Sequence, residues 1–575
     1  MLVRINAIAG QLISKVPPDI GFVSSRRGFL KRGLGLGFGG LVAGCGRTVI
    51  GGSGGQSAII GGGSGYGSGP DTSIDPTKPT DPTKPPDPPN PPDPTQPTDP
   101  TQPTNPTQAT DTQPALPSGA LQVNARVTTT QLGSVGTDFV GFSFEKSELT
   151  TASFQSDKTN IVNLFKALGP SIVRIGGGAV DRVVWTTNLT TGHIDRFASF
   201  ISQTGWRVIY GINLLTNTPD AAADEAQYAS SKMGNLITHF TLGNEPENLT
   251  YGSSANFNQK WLTFKNAILN RVGNRAFAGP DATGSGRAKD YTVPFATAVG
   301  SSNITLLTHH FYTVSSSDQT LYVTVGISEA VRDQERAKFR STLLTIPKST
   351  KLADNLFYIK PAADGLNVKF RLTEVNSATG GGVLGVSDVY ASALWSLDFM
   401  FLAAQGGASG VNFHGGDSAR YTPFTFSSTS LLGVQPLYYG ILFFTMMGSG
   451  PVLSSSSDAG GNNISIYAIR TTSGYSVLLV NKEVNQSFEV TLQLPAPVSS
   501  ATAIYLQGTS LLDSLPKNLN NNTRTGVGRI TIQDGAVSNL SGKLEGKKDS
   551  YTVGISGNTP VVKVPALTAV LVKLS

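Results

Sequence analysis

Ile237-Thr-His-Phe-Thr-Leu-Gly-Asn-Glu-Pro246 is a short apolar run that ends in a carboxylate and a turn, and Lys369-Phe-Arg-Leu-Thr-Glu374 repeats the pattern before Val375-Asn-Ser377. Runs of this kind read as buried strands handing over to a loop. Six more occur, at residues 138–145, 171–177, 206–213, 276–281, 304–312 and 410–414. With 237–243 and 369–374 they number eight. Helical patterns such as 160–168 and 389–400 lie between several of them, so strand and helix alternate along the chain. That rhythm predicts α/β architecture: an eight-stranded parallel (β/α)8 TIM barrel over residues 136–450.

Beyond about residue 450 the texture changes. Ile464-Ser-Ile-Tyr-Ala-Ile469, Tyr475-Ser-Val-Leu-Leu-Val-Asn481 and Val561-Val-Lys-Val564 alternate apolar and polar residues between turns. This predicts a C-terminal antiparallel β-sandwich over 451–575. Residues 118–135, ahead of the first barrel strand, are expected to add a strand to it.

The N-terminal part reads as an address and a tether. Ser25-Arg-Arg-Gly-Phe-Leu-Lys31 matches a twin-arginine export signal. The apolar stretch 33–44 is too short to span a bilayer. It ends in Leu41-Val-Ala-Gly-Cys45, which resembles a lipobox, so residues 1–44 are expected to be removed and Cys45 lipidated. The glycines of 33–40 follow no strand and do not form a nucleotide loop. Residues 45–117 are Gly/Ser-rich and then carry six Pro/Thr-rich hexads from Asp75 to Thr110. In polyproline II those hexads extend to about 110 Å, a stalk. The expected location is the cell envelope, reached by the twin-arginine route and held by the lipid on Cys45.

Cys45 is the only cysteine, which excludes an internal disulfide. The net charge of +6 is concentrated in the signal. Residues 1–44 hold six Lys/Arg against Asp19, leaving 38 basic and 37 acidic residues in the remainder. Such a balance argues against a nucleic-acid partner.

Barrel proteins place reactive groups at the C-terminal ends of their strands. Glu245 and Glu374 occupy such positions on non-adjacent strands, so they face each other across the mouth. Two carboxyls about 5–5.5 Å apart suit a retaining glycosidase, one attacking the anomeric carbon and the other protonating the leaving oxygen. Asn244 is placed to reach a sugar 2-hydroxyl, and Pro246 stiffens the turn that aims Glu245. An isolated Asn-Glu-Pro is equally a surface turn; the second strand-end glutamate favours chemistry.

Taken together, several stretches resemble glycoside hydrolase family 79, the β-glucuronidase and heparanase family. They are Asp138-Phe-Val-Gly-Phe-Ser-Phe-Glu145, Leu168-Gly-Pro-Ser-Ile-Val-Arg-Ile-Gly-Gly177 with Asp181 and Trp185, Leu242-Gly-Asn-Glu-Pro246, and Glu374-Val-Asn-Ser377. Gly385-Val-Ser-Asp388, Gly410-Val-Asn-Phe-His-Gly-Gly416 and Gln435-Pro-Leu-Tyr-Tyr-Gly440 continue the match. The resemblance covers nearly everything from residue 120 onward. It implies Glu245 as acid/base, Glu374 as nucleophile, the sandwich as an accessory domain, a glycan substrate, and neither metal nor organic cofactor. Tyr312 resembles the tyrosine that holds the nucleophile in this clan.

Neighbouring His309 and His310 point to opposite strand faces, poor geometry for one metal; one is expected to line the pocket, and His310 is taken as that one. Arg174 and Asp181 either pair with each other or line the sugar site, and His414 either touches the glycone or fills the top barrel layer. Gly176, Gly177 and Gly178 are expected to permit a tight turn near the sugar. In the family's β-glucuronidases the loop after the nucleophile reads the uronate carboxylate, commonly with a tyrosine. Here that loop, Ser377-Ala-Thr-Gly-Gly-Gly-Val383, has none, and Thr379 with the amides around Gly381 is left for the task. The expectation is an exo-acting β-glucuronidase. A neutral-sugar β-glycosidase of the same clan and a non-catalytic, lipid-anchored glycan-binding protein are the alternatives.

Overall fold

The computed structural model describes residues 110–248, 251–284, 286–315, 328–416, 419–426, 431–515 and 529–575. The export signal, Cys45 and the hexads through residue 109 lie outside the described residues. After β1 (Leu121–Val135), eight parallel strands close a barrel: β2 (Val140–Glu145), β3 (Ile172–Gly176), β4 (Arg207–Ile212), β5 (Ile237–Leu242), β6 (Phe277–Ala282), β7 (Leu306–Val314), β8 (Lys369–Ala378) and β9 (Val411–Gly415). All eight nominated strands are present in the expected order. Closure comes from β2 pairing with β9 in parallel, Val140 opposite Val411. Most of these strands are buried along nearly their whole length, which is why they read as continuous apolar runs rather than alternating ones.

The strands that carry the second glutamate differ from expectation. β8 continues four residues past Glu374, and β7 two past Tyr312, so neither residue terminates its strand. The two strands stay paired above the mouth, with His310 opposite Glu374, Tyr312 opposite Asn376 and Val314 opposite Ala378. The Thr379 amide donates to Val314 O at 3.0 Å and ends the ladder. This raised ribbon forms one wall of the mouth.

At the opposite end the barrel interior is polar. Buried Arg371 donates through Nε to Asn412 Oδ1 at 2.6 Å, and through its terminal nitrogens to the carbonyls of Asp138 and Phe139. Gly410 makes room for it: a Cβ there would lie 2.0 Å from Arg371 Nη1.

Eleven strands outside the barrel form one mostly antiparallel sheet. β1 lies inside it, antiparallel to Gly450–Ser457 and parallel to Phe488–Gln493. One apolar cluster unites Val123 and Val490 with Ala503, Tyr505 and Val570, residues far apart in the strand order, so the sheet folds over on itself. Its other face joins the barrel core through Tyr467, Leu478 and Leu571. Between the layers runs the helix Tyr390–Gln405, buried almost throughout.

Candidate active site

The strand ends bring together four carboxylates, a guanidinium and two imidazoles. Arg174, on β3, is fully buried and organises them. Its Nη1 donates to Glu374 Oε2 at 2.8 Å and to Ser143 Oγ at 3.2 Å, and its Nη2 to Asn244 Oδ1 at 2.8 Å and Asp281 Oδ2 at 2.9 Å. Gly176 is required for this fold-back, since a Cβ there would lie 2.7 Å from the guanidinium carbon. Arg174 does not pair with Asp181. That carboxylate instead caps the amides of Leu214 and Leu215, at 3.0 and 3.2 Å, and accepts from the Tyr251 hydroxyl, so it secures loops. Asn244 Oδ1 is thus occupied by Arg174, and the Nδ2 amide is the donor of that side chain.

Glu245 sits in a left-handed turn, φ 46°, held by its amide donating to Asp281 O at 3.0 Å. For a residue with a side chain this backbone costs on the order of 1 kcal/mol, the kind of strain that accumulates at functional sites. His310 Nδ1 lies 3.1 Å from Glu245 Oε1 and 4.0 Å from Glu374 Oε2, and its Nε2 is 3.6 Å from Asp281 Oδ1, an ionic contact longer than a hydrogen bond. Glu245, His310 and Glu374 each place an atom within 4.8 Å of the others. A trio this compact suits a cation in principle. Within the protein Glu374 is already bound by Arg174, and His310 contacts both glutamates.

Glu374 is held for ionisation. Burial would raise its pKa, but the charges of His414, His310 and Arg174 and a hydrogen bond from Tyr312 outweigh it and bring it to about 2. The Tyr312 hydroxyl donates to Glu374 Oε1 at 2.8 Å. For His310 burial opposes the charged form, yet Glu374 together with contacts to Asp281 and Glu245 lifts it to about 10. His309 lies on the other face, bonded to Thr292 at 2.9 Å, and burial with the nearby His310 charge lowers it to about 3.

Three residues escaped the sequence reading. Asp281 is buried at the floor of the site, bound by Arg174, by Thr241 at 2.9 Å and by Thr373 at 2.6 Å. Only its place at the end of the fifth strand hinted at it. Glu145 ends β2, its Oε2 accepting from Ala179 N at 2.5 Å and its Oε1 3.4 Å from His414 Nε2. A Cβ on Gly177, φ 65°, would collide with that carboxylate at 2.6 Å, so Gly177 makes space for a side chain of the site. His414 also lies 3.0 Å from Ser143 and 3.8 Å from Glu374.

Tyr421 is the third. It comes from the loop after β9, and Asn376 Nδ2 donates to its carbonyl at 3.0 Å. Its ring lies 6.0 Å from that of Tyr312 and 6.1 Å from His414. Burial, followed by the charges of Glu374, Glu145 and Glu245, raises its hydroxyl pKa, so it stays protonated among all three carboxylates. The Tyr421 amide would lie 2.9 Å from a Cβ on Gly382, and Arg420 N donates to Gly381 O at 2.6 Å. The loop of Thr379 is thereby stitched to Tyr421, with Gly380, Gly381 and Gly382 all left-handed, φ 66°, 83° and 87°.

No family model matches this chain, and no curated protein does. Solved structures do. A 4-O-α-L-rhamnosyl-β-D-glucuronidase from Fusarium oxysporum shares 20% identity at TM-score 0.60, over 78% of this chain and 100% of its own. A family 51 arabinofuranosidase from Xanthomonas axonopodis pv. citri gives 13% and 0.58 over 79% and 100%, and a family 44 xyloglucanase from Paenibacillus polymyxa 12% and 0.53 over 79% and 100%. At these identities the likeness is one of fold. The chain has the barrel-and-sheet architecture of proteins named for cleaving glycosidic bonds.

Proposed function

We propose that the protein is a retaining exo-β-glycosidase of the family 79 type, acting on β-glucuronides. The observation that carries the reading is the spacing of the carboxylates. Glu245 and Glu374 approach within 4.8 Å, close to the about 5–5.5 Å of retaining enzymes and below the about 6.5–9.5 Å that an inverting enzyme needs for its water. Glu374, ionised and aimed by Tyr312 and Arg174, attacks the anomeric carbon as Glu245 gives its proton to the departing glycosidic oxygen. Glu245 then takes a proton from water, which attacks the glycosyl–Glu374 ester and releases the β anomer. The Asn244 amide donates to the 2-hydroxyl, where hydrogen bonds strengthen in the transition state.

Uronate preference is supported by Tyr421 with the glycine loop. The loop lacks a tyrosine, and Tyr421, from the loop after β9, packs its backbone against Gly382. Among the described residues the amides of Gly380 and Gly381 donate to no protein acceptor, and Gly381 O accepts from Arg420, the residue before Tyr421. A neutral hydroxyl and left-handed glycine amides make a carboxylate cradle that adds no further charge to the site. The lipid on Cys45 and the stalk would carry this enzyme at the cell envelope, facing external glycans.

Hydrolysis of an aryl β-D-glucuronide, beside the β-glucoside, β-galactoside and β-xyloside, tests both parts. Cleavage of the glucuronide alone is expected, abolished in Glu374→Gln. Tyr421→Phe is expected to raise KM for the glucuronide about tenfold, one charge-assisted hydrogen bond. Cleavage of a neutral glycoside instead overturns the uronate assignment and keeps the mechanism. Silence on all four, with glycan binding retained, overturns catalysis.

A further inference from the structure

Glu245 rides on a turn whose three successive amides are held by three different acceptors. Gly243 N donates to Ile212 O at 3.0 Å, on β4, and Glu245 N donates to Asp281 O at 3.0 Å, on β6. The middle amide, that of Asn244, donates instead to a side chain, the Tyr251 hydroxyl at 3.4 Å. Tyr251 is buried and belongs to the same connection as Glu245, between β5 and the helix Ser254–Val272. The chain therefore folds back to fasten the turn that precedes it.

The same hydroxyl donates to Asp181 Oδ2. Asp181 Oδ1 accepts from the amides of Leu214 and Leu215, and Lys260 Nζ donates to Leu215 O at 2.9 Å. One phenol thus ties together the loops that follow β3, β4 and β5. Burial and the charge of Asp181 keep it protonated, so its single proton goes to Asp181 and a lone pair serves the Asn244 amide. Space for this approach is built in: Gly243 is left-handed, φ 74°, and a Cβ there would lie 2.3 Å from the Tyr251 hydroxyl. The ring packs against Phe257, centroids 5.0 Å apart, which a phenylalanine would do equally well. What the network uses is the hydroxyl.

We propose that Tyr251 is a positioning residue for the acid/base: its hydroxyl, clasped by Asp181, fixes the peptide between Asn244 and Glu245 and so the direction from which Glu245 delivers its proton. The proposal rests on the reading of Glu245 as acid/base. Without the hydroxyl, the Asn244 amide loses its acceptor in the interior, and the left-handed turn at Glu245 loses its middle fastening. The Asn244 side chain keeps its own anchor on Arg174, so the loss falls on proton delivery rather than on the hold of the sugar. Misplacing a reacting group by about 1 Å costs on the order of 100-fold in rate.

The test compares kcat/KM of Tyr251→Phe on two aryl β-D-glucuronides. Dinitrophenolate departs without a proton, whereas phenolate needs one from the general acid. Tyr251→Phe is expected to lose about 10–100-fold on the phenyl glucuronide and less than about threefold on the dinitrophenyl one. Phe257→Leu, which loosens the ring's packing and leaves the hydroxyl, is expected to lower the unfolding temperature without opening such a gap. Equal losses on both substrates in Tyr251→Phe, no loss on either, or the same gap in Phe257→Leu overturns the positioning role. Glu245→Ala on the same pair checks the foundation separately. A wide gap there supports the acid/base reading, and equal losses remove that reading and the proposal with it.

Discussion

Tyr312 and Glu374 show how one hydrogen bond prepares a nucleophile. The hydroxyl fixes Oε1 while Arg174 holds Oε2, so the carboxylate has one orientation and stays ionised. Tyr312→Phe is expected to lower kcat about 10–100-fold with a smaller change in KM, the loss of a charge-assisted bond. The same substitution removes one influence that depresses the Glu374 pKa, so the acid limb of the pH profile should move upward. These charges also couple the site to stability. Glu374, at about 2 against an ordinary 4.5, contributes stability that is full above 4.5 and lost as pH falls through 2. His310, at about 10 against 6.5, contributes most below 6.5 and loses its share as pH rises through 10. The two glutamates were legible in the sequence because each breaks into or follows a short apolar run, Glu245 just beyond β5 and Glu374 within β8. Asp281 and Tyr421 were not: an aspartate after Gly279-Pro280 and a tyrosine in a loop have no local signature, and only barrel closure brings them to Arg174 and Glu374.

Strand periodicity located every barrel element but not its upper limit. β7 and β8 run past the mouth because Phe311, Val314, Val375 and Ala378 continue to be buried there, and apolar continuity alone does not distinguish a strand's barrel portion from a ribbon above it. Parallel strands buried on both faces also hide which side chains point inward. Arg174 and Arg371 interrupt two apolar runs, and both prove to be interior groups with full sets of partners. The close approach of Gly410 to Arg371 gives a direct test of the barrel's polar end. Gly410→Ala forces a methyl against the guanidinium and is expected to destabilise by about 1–3 kcal/mol, read by urea denaturation. Activity should fall much less than stability, because the glutamates stand at the opposite ends of the strands.

A buried seam holds barrel and sheet together. Lys482 Nζ donates to Asp398 Oδ2 at 2.7 Å, and Tyr467 donates to Asp398 Oδ1 at 2.9 Å, linking the sheet to the helix Tyr390–Gln405. Both charged side chains are wholly enclosed. Lys482→Met alone leaves Asp398 buried without its counter-charge, and is expected to cost about 3–5 kcal/mol; adding Asp398→Leu should recover much of it. Thermal unfolding of the two variants checks this. The sheet's alternating pattern was readable, but its ordering was not. β1 precedes the barrel by sequence and still inserts between two strands that follow it, a pairing of such separation that no local signal marks it. The account turns on two carboxylates close enough for covalent catalysis. The most direct test is proton NMR of the first sugar released from an aryl β-D-glucuronide, before mutarotation. Retention requires the β anomer as the initial product, and an α anomer appearing first would contradict the nucleophilic role of Glu374.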